Sequence, residues 1–265
     1  MELKRWVTAL SLIPLLLFVI GFGSEWVFFG LILVTSILAI NEFYTLVLPI
    51  DHRKEKVLGV LLGSLLAYGI YTGESCVVLG FSTLTILFSL IFFLALFREL
   101  TSVVPNLAKL LMGIFYIGLL LPHFTLIRAM PFGKQWVFFT LVVTFMGDTA
   151  AYYGGSYFGR HKLYPKISPG KTVEGSIAGF IGNVGAAFIF GKYFLNQVEV
   201  YHCLILALGL GIMGQLGDLC ESMIKRSAGV KDSGGLLPGH GGILDRIDSI
   251  LFAAPFMYYY AILFL

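Results

Sequence analysis

SMIKRSAGVKDSGGLLPGHGGILDRID, residues 222–248, is a polar island in an apolar chain. Seven formal charges (Lys225, Arg226, Lys231, Asp232, Asp245, Arg246, Asp248) and His240 fall in these residues, although only 12% of the chain is charged and 58% is hydrophobic. Apolar runs flank it, near 203–224 and 244–265, each about the 20 residues that a helix needs to cross a bilayer. Charge held between two such runs reads as a loop outside the membrane, and the chain as a polytopic membrane protein. Inside the island, Lys225 and Arg226 end an apolar helix and Gly234, Gly235, Gly239, Gly241 and Gly242 loosen the centre. Asp245 and Asp248, three apart, share a helical face on which paired carboxylates can hold a hard cation such as Mg²⁺. Glycines let backbone N–H groups approach an anion closely. Cation, backbone donors and Lys/Arg together describe a phosphate site; composition alone equally fits a solvated, positive-inside loop.

Reading outward, the 265 residues give an all-α chain of about nine spans, near 6–22, 26–48, 57–72, 76–97, 106–127, 136–157, 174–194, 203–224 and 244–265. With the N-terminus in the cytoplasm, 15 of the 18 Lys and Arg face inward and only Arg128, Lys134 and Lys192 face out, the asymmetry expected of an N-in, C-out protein. Lys4-Arg5 and the apolar run after them imitate a secretory signal, but a second run follows almost at once and favours retention as the first span. A net charge of +3 is too small to argue for nucleic acid. Cys76, Cys203 and Cys220 form no CxxC pair, so neither a disulfide framework nor a zinc site is implied.

The five expected spans within 1–135 carry few polar side chains, whereas 136–265 carry acids within the spans and basic loops at 158–173 and 225–243. The second part is therefore the expected catalytic region. In the first part Glu42 stands out, because an unpaired carboxylate inside a span is costly. In the second, Asp148 lies mid-span with Tyr152 one turn on; an intramembrane aspartate marks either a functional site or a bond to a neighbouring helix. Gly170-Lys171-Thr172 imitates a P-loop, but Pro165 stands where that motif needs its first glycine. What remains is a helix N-terminus capped by Ser168 or Thr172, which favours a phosphate, with Lys166 and Lys171 adding charge. Asp218, Glu221, Ser222 and Lys225 share one face near the end of the eighth span. Asp218 with Asp245 and Asp248 could form an oxygen-rich metal cage.

Ser222, Lys225, Arg226, Lys231 and Asp232, followed by Pro238, His240, Gly241, Gly242, Asp245, Arg246 and Asp248, resemble the signature of the phosphatidate cytidylyltransferases, or CDP-diacylglycerol synthases. A second block, Asp148–Ser156, Gly159, Ser168-Pro169, Lys171-Thr172 and Glu174-Gly175, extends the resemblance over roughly 145–250. It implies CTP plus phosphatidic acid giving CDP-diacylglycerol and pyrophosphate at the cytoplasmic face of a bacterial inner membrane, with a homodimer left open. The nucleophile, a phosphate oxygen whose second pKa is about 6, is already ionised, so the task is to bring two anions together. Asp218, Asp245 and Asp248 are assigned to Mg²⁺, with Asp148 a further candidate and room for a second cation. Lys225, Arg226, Lys231 and Arg246 are assigned to phosphates, and Ser168, Lys171, Thr172, Ser222, Gly241 and Gly242 to substrate. His240 either donates to the leaving pyrophosphate or shapes its loop. A CTP-dependent polyprenol kinase and a transporter are the rival readings. A CDP-alcohol phosphotransferase is disfavoured, because the chain contains no Asp-Gly dipeptide.

Overall fold

The computed structural model describes residues 14–96, 99–236 and 241–265, nearly all of them helical. A helix satisfies every backbone N–H and C=O within itself, which an apolar chain in lipid requires. Among the described residues, six helices are long and apolar enough to cross a membrane: Glu25–Val47, Ser75–Leu96, Leu100–Ala129, Val173–Phe194, Val200–Ser227 and Leu244–Phe264. They mark an integral membrane protein. The expected runs 57–72 and 136–157 are helical as well but outside the six. One opens on the charged residues Arg53, Lys54, Glu55 and Lys56; the other is diluted by Asp148, threonines and tyrosines. The expected span 6–22 lies largely outside the described residues, although 14–22 is helical.

The chain forms two compact units, the first of Met1–Leu126 with Asp232–Asp245 and the second of Ile127–Lys231 with Arg246–Leu265. The first contains α1 (14–22), α2 (Glu25–Val47), α3 (Arg53–Thr72), α4 (Ser75–Leu96) and α5 (Leu100–Gly113). Ser24 caps α2, its hydroxyl accepting from the Val27 N–H, and Gly73 ends α3 at φ 72°, the left-handed conformation glycine adopts without penalty. The core of this unit is built on Tyr44. Its ring is fully buried and its hydroxyl donates to the Leu110 carbonyl at 2.6 Å. A Cβ at Gly59 or Gly113 would fall within 2.5 Å of that ring, so both positions admit only glycine. After α5 the chain widens into a π-helical turn, Ile114–Leu119, before Pro122 and the short α6 (His123–Ala129). Pro122 has no N–H to continue the ladder, which accounts for the break. Pro105 lies inside α5.

The second unit holds α7 (Gly133–Phe158), α8 (Val173–Phe194), α9 (Val200–Ser227) and α10 (Leu244–Phe264) from Arg246 onward. Between α7 and α8 the chain forms a small antiparallel hairpin, β1 (Lys162–Tyr164) with β2 (Ser168–Thr172), a departure from a purely helical reading. The buried residues of α8 are Gly175, Gly179, Asn183, Ala187 and Gly191, spaced four apart throughout. Along α7, Gly147, Ala151 and Gly155 repeat the same step and meet them: a Cβ at Gly175 would lie 2.8 Å from the Ala151 carbonyl, and one at Gly179 would lie 3.1 Å from the Ala151 Cβ. Small residues every fourth position are how membrane helices approach closely, since packing rather than the hydrophobic effect joins them. The same device sets α10 against α9, where a Cβ at Gly217 would lie 2.4 Å from the Asp248 carbonyl.

Candidate active site

Close packing of α7 on α8 leaves a cavity of about 380 Å³ where the hairpin folds back toward α9. Its wall includes Asp148, Tyr152, Ser156, Ser168, Lys171, Thr172, Ser176, Gln215 and Asp218. Each is placed by a local rule. Thr172 is the N-cap of α8, its extended backbone and hydroxyl receiving the Gly175 N–H at 3.1 Å. Glu174, the second residue of α8, accepts the amides of Arg160 and His161 at 3.0 and 3.1 Å and the His161 Nδ1 at 2.6 Å, which fixes the base of the hairpin. Lys171 is thereby held immediately before a helix N-terminus. Its ammonium meets the Asp218 carboxylate at 2.6 Å, with both side chains partly buried.

Asp218 is also reached by the Ser222 hydroxyl, one turn further along α9, at 3.4 Å. Asp148 accepts from the Ser249 hydroxyl, and Asp148, Asp218 and Asp248 lie close enough to repel one another. These three acids, with Glu221 also acting on Asp248, outnumber the paired lysines Lys171 and Lys225 and leave an excess of negative charge in a low-dielectric setting. Such a donor set suits a hard cation. Among the described residues, no three His, Cys, Asp or Glu side chains form a ready-made cage. Mg²⁺ does not require one, since it is commonly held by one or two carboxylates with water and substrate phosphate oxygens completing the shell.

Of the residues read from sequence, Asp148, Ser168, Lys171, Thr172 and Asp218 line the cavity, with Ser222 bonded to Asp218 and Asp248 within reach of its charge. Lys225 is not among the lining residues and pairs with the fully buried Glu221 one turn earlier. Arg226 donates to the Ile167 and Val230 carbonyls, both at 3.3 Å, tying the hairpin turn to the end of α9. Lys231 and Arg246 are exposed. In the first unit, Asp245 Oδ2 accepts the N–H groups of Ser233 and Gly242, each at 2.9 Å. Gly241 there adopts φ 85°, the left-handed region. His240 lies outside the described residues. Gln215 and Ser176, which hydrogen-bond each other across the cavity wall, escaped the sequence reading. Gln215 precedes Asp218 by three residues and so shares its helical face, which is the signal that could have found it.

A model of the cytidylyltransferase family matches residues 3–264. The chain belongs to this family. Among curated proteins, the phosphatidate cytidylyltransferase of Bacillus subtilis (strain 168) is 45% identical over 150 residues, which is 56% of each chain. That of Staphylococcus haemolyticus (strain JCSC1435) is 42% identical over 147 residues, again 56% of each. The uncharacterized protein YnbB of Escherichia coli (strain K12) is 48% identical over 128 residues, 48% of this chain and 43% of the relative. The chain thus spans about half the length of the curated relatives it matches.

Proposed function

We propose that the chain is a phosphatidate cytidylyltransferase, making CDP-diacylglycerol and pyrophosphate from CTP and phosphatidic acid in phospholipid biosynthesis. The observation that carries this reading is the Lys171–Asp218 pair in a cavity shared with Asp148, built from membrane helices and a capped helix start. A phosphatidate oxygen bonds to the α-phosphorus of CTP, the α–β bridging P–O bond breaks, and pyrophosphate leaves. No side chain needs to remove a proton, because the attacking phosphate is ionised at neutral pH. Lys171 and the positive dipole end of α8 neutralise and orient a substrate phosphate, a role supported by the place of Lys171 on the cavity wall beside the N-cap Thr172. Arg226, Lys231 and Arg246 supply further positive charge. Lys225 contributes less, since Glu221 already offsets it.

Asp218, Asp245 and Asp248 are the residues assigned to Mg²⁺, with Asp148 beside them and a second cation allowed for; the cation supplies charge neutralisation between the two anionic substrates. Nine spans with a cytoplasmic N-terminus place both basic loops in the cytoplasm of a bacterium, where CTP is, while phosphatidic acid enters from the bilayer. A homodimer is compatible with this arrangement. Purified protein given CTP labelled in its α-phosphate should release pyrophosphate only when phosphatidic acid is present, and the label should move to the lipid. Transfer of the terminal phosphate alone would establish a lipid kinase, and flux without pyrophosphate a transporter; either result overturns the proposal.

A further inference from the structure

Glu42 lies near the end of α2, in the part of the sequence that carries none of the motif residues, and is only 8% exposed. A buried carboxylate is costly without compensation, yet among the described residues it makes no ion pair. Its Oε2 instead accepts the Leu244 N–H at 2.9 Å and the Ser233 hydroxyl at 3.3 Å. Leu244 is the first residue of α10, and the residue before it, Ile243, has no side-chain acceptor. Glu42 therefore provides, from 202 residues away, the cap that the local sequence of α10 lacks, and its charge is favoured there by the helix dipole.

The Ser233 hydroxyl that Glu42 orients also accepts the Asp245 N–H at 3.3 Å, while the Ser233 N–H donates to the Asp245 carboxylate at 2.9 Å. Gly234 and Gly242 let the loop backbone wrap this acid. A Cβ at Gly234 would lie 2.8 Å from Glu42 Oε1, and one at Gly242 would lie 2.5 Å from Oε2. We infer that Glu42 is a positioning residue for the reaction: it anchors both ends of the loop that precedes α10 and fixes the start of the helix bearing Asp245, Arg246 and Asp248. The catalytic part of this inference rests on the cytidylyltransferase reading above; the anchoring part stands without it.

The test uses the full chain in lipid nanodiscs, as parent, Glu42→Ala, Glu42→Gln and Glu42→Asp. Backbone hydrogen exchange is followed in peptides covering 233–236 and 241–245, together with turnover, the Mg²⁺ midpoint of turnover and thermal unfolding. Loss of a bond to a charged acceptor should speed exchange of these amides by about tenfold or more in Glu42→Ala, with a smaller change in Glu42→Gln, which keeps one acceptor. Turnover should fall by about tenfold or more and the Mg²⁺ midpoint should rise, with part of both recovered in Glu42→Asp. Where Glu42→Ala fails to fold, the Gln and Asp variants decide. Parental exchange rates in folded variants overturn the anchoring. Altered exchange with an unchanged Mg²⁺ midpoint, and turnover falling only as far as thermal stability does, overturns the catalytic part. A parent that releases no pyrophosphate overturns the cytidylyltransferase reading instead, while the exchange rates still decide whether Glu42 anchors the loop.

Discussion

Lys171 and Asp218 hold each other at 2.6 Å with Asp148 on the same cavity wall and Asp248 repelling both acids. Lys171 thus faces mutually repelling carboxylates. If Asp218 also serves a dication, Lys171 competes with that dication for the same oxygens, and the two substitutions should move its affinity in opposite directions. Lys171→Ala should lower the Mg²⁺ midpoint, because a like charge is removed, and should cut kcat/KM by about 100-fold through loss of a phosphate contact. Asp218→Asn should cut turnover as well but raise the midpoint. Titrating activity against Mg²⁺ for both variants checks this; midpoints shifted in the same direction would separate Asp218 from the cation. Asp148 and Asp218 were legible in sequence because each breaks an apolar helical pattern, and Lys171 and Thr172 because they stand in a basic loop just before a helix. Lys225 pairs with Glu221 one turn earlier, a spacing that the sequence also shows. Glu42 could be seen as costly, but its partners lie 191 and 202 residues away, beyond any local periodicity.

Glycine decides how the helices of the second unit meet. Gly175 faces the Ala151 carbonyl, Gly155 and the Thr172 hydroxyl within 3.0 Å of a hypothetical Cβ, whereas Gly185 on the same helix has nothing within 4 Å. Two alanine substitutions in α8 therefore separate packing from propensity. Gly185→Ala should be neutral or stabilising by up to about 1 kcal/mol, the helical advantage of alanine. Gly175→Ala should cost about 1–3 kcal/mol despite that advantage, through overpacking, and should also disturb the capping hydroxyl beside Lys171. Thermal unfolding of the two variants in one detergent checks the contrast, and equal melting temperatures would remove the close-approach argument. The every-fourth-residue ladder of α8 is visible in the sequence once small residues are read as contact residues. The hairpin is not: β2 contains Pro169 and Gly170, residues that strands disfavour, and what holds it is Glu174 bonding back to Arg160 and His161. Helix positions came through well because membrane-length apolar runs are long and strongly marked. Two runs fall outside the six most apolar helices because charge or polar residues dilute them, not because they are unfolded.

At the scale of the whole molecule, the proposed orientation rests on the distribution of charge. Lysines and arginines cluster in 158–173 and 225–243, two loops separated by α8 and α9. If both helices span the membrane, those loops share a side, and the positive-inside bias assigns that side to the cytoplasm. The structure selects the reporter position. Ser233 is only 3% exposed and bonded to Glu42, so a cysteine there would report burial rather than sidedness. Gly235 is exposed and has nothing within 4 Å of a Cβ, so Gly235→Cys adds a thiol without a clash. Cys76 is exposed and opens the expected span 76–97 at its outer end, so it is first changed to Ser. In that background, Gly235→Cys should react with an impermeant maleimide only after the cells are opened. Lys134→Cys, at an exposed position in the first turn of α7, should react in intact cells. The reverse pattern would invert the protein and move the candidate site away from CTP. Reaction of both positions in intact cells would place an odd number of crossings between 134 and 235 out of reach, and the nine-span arrangement with it.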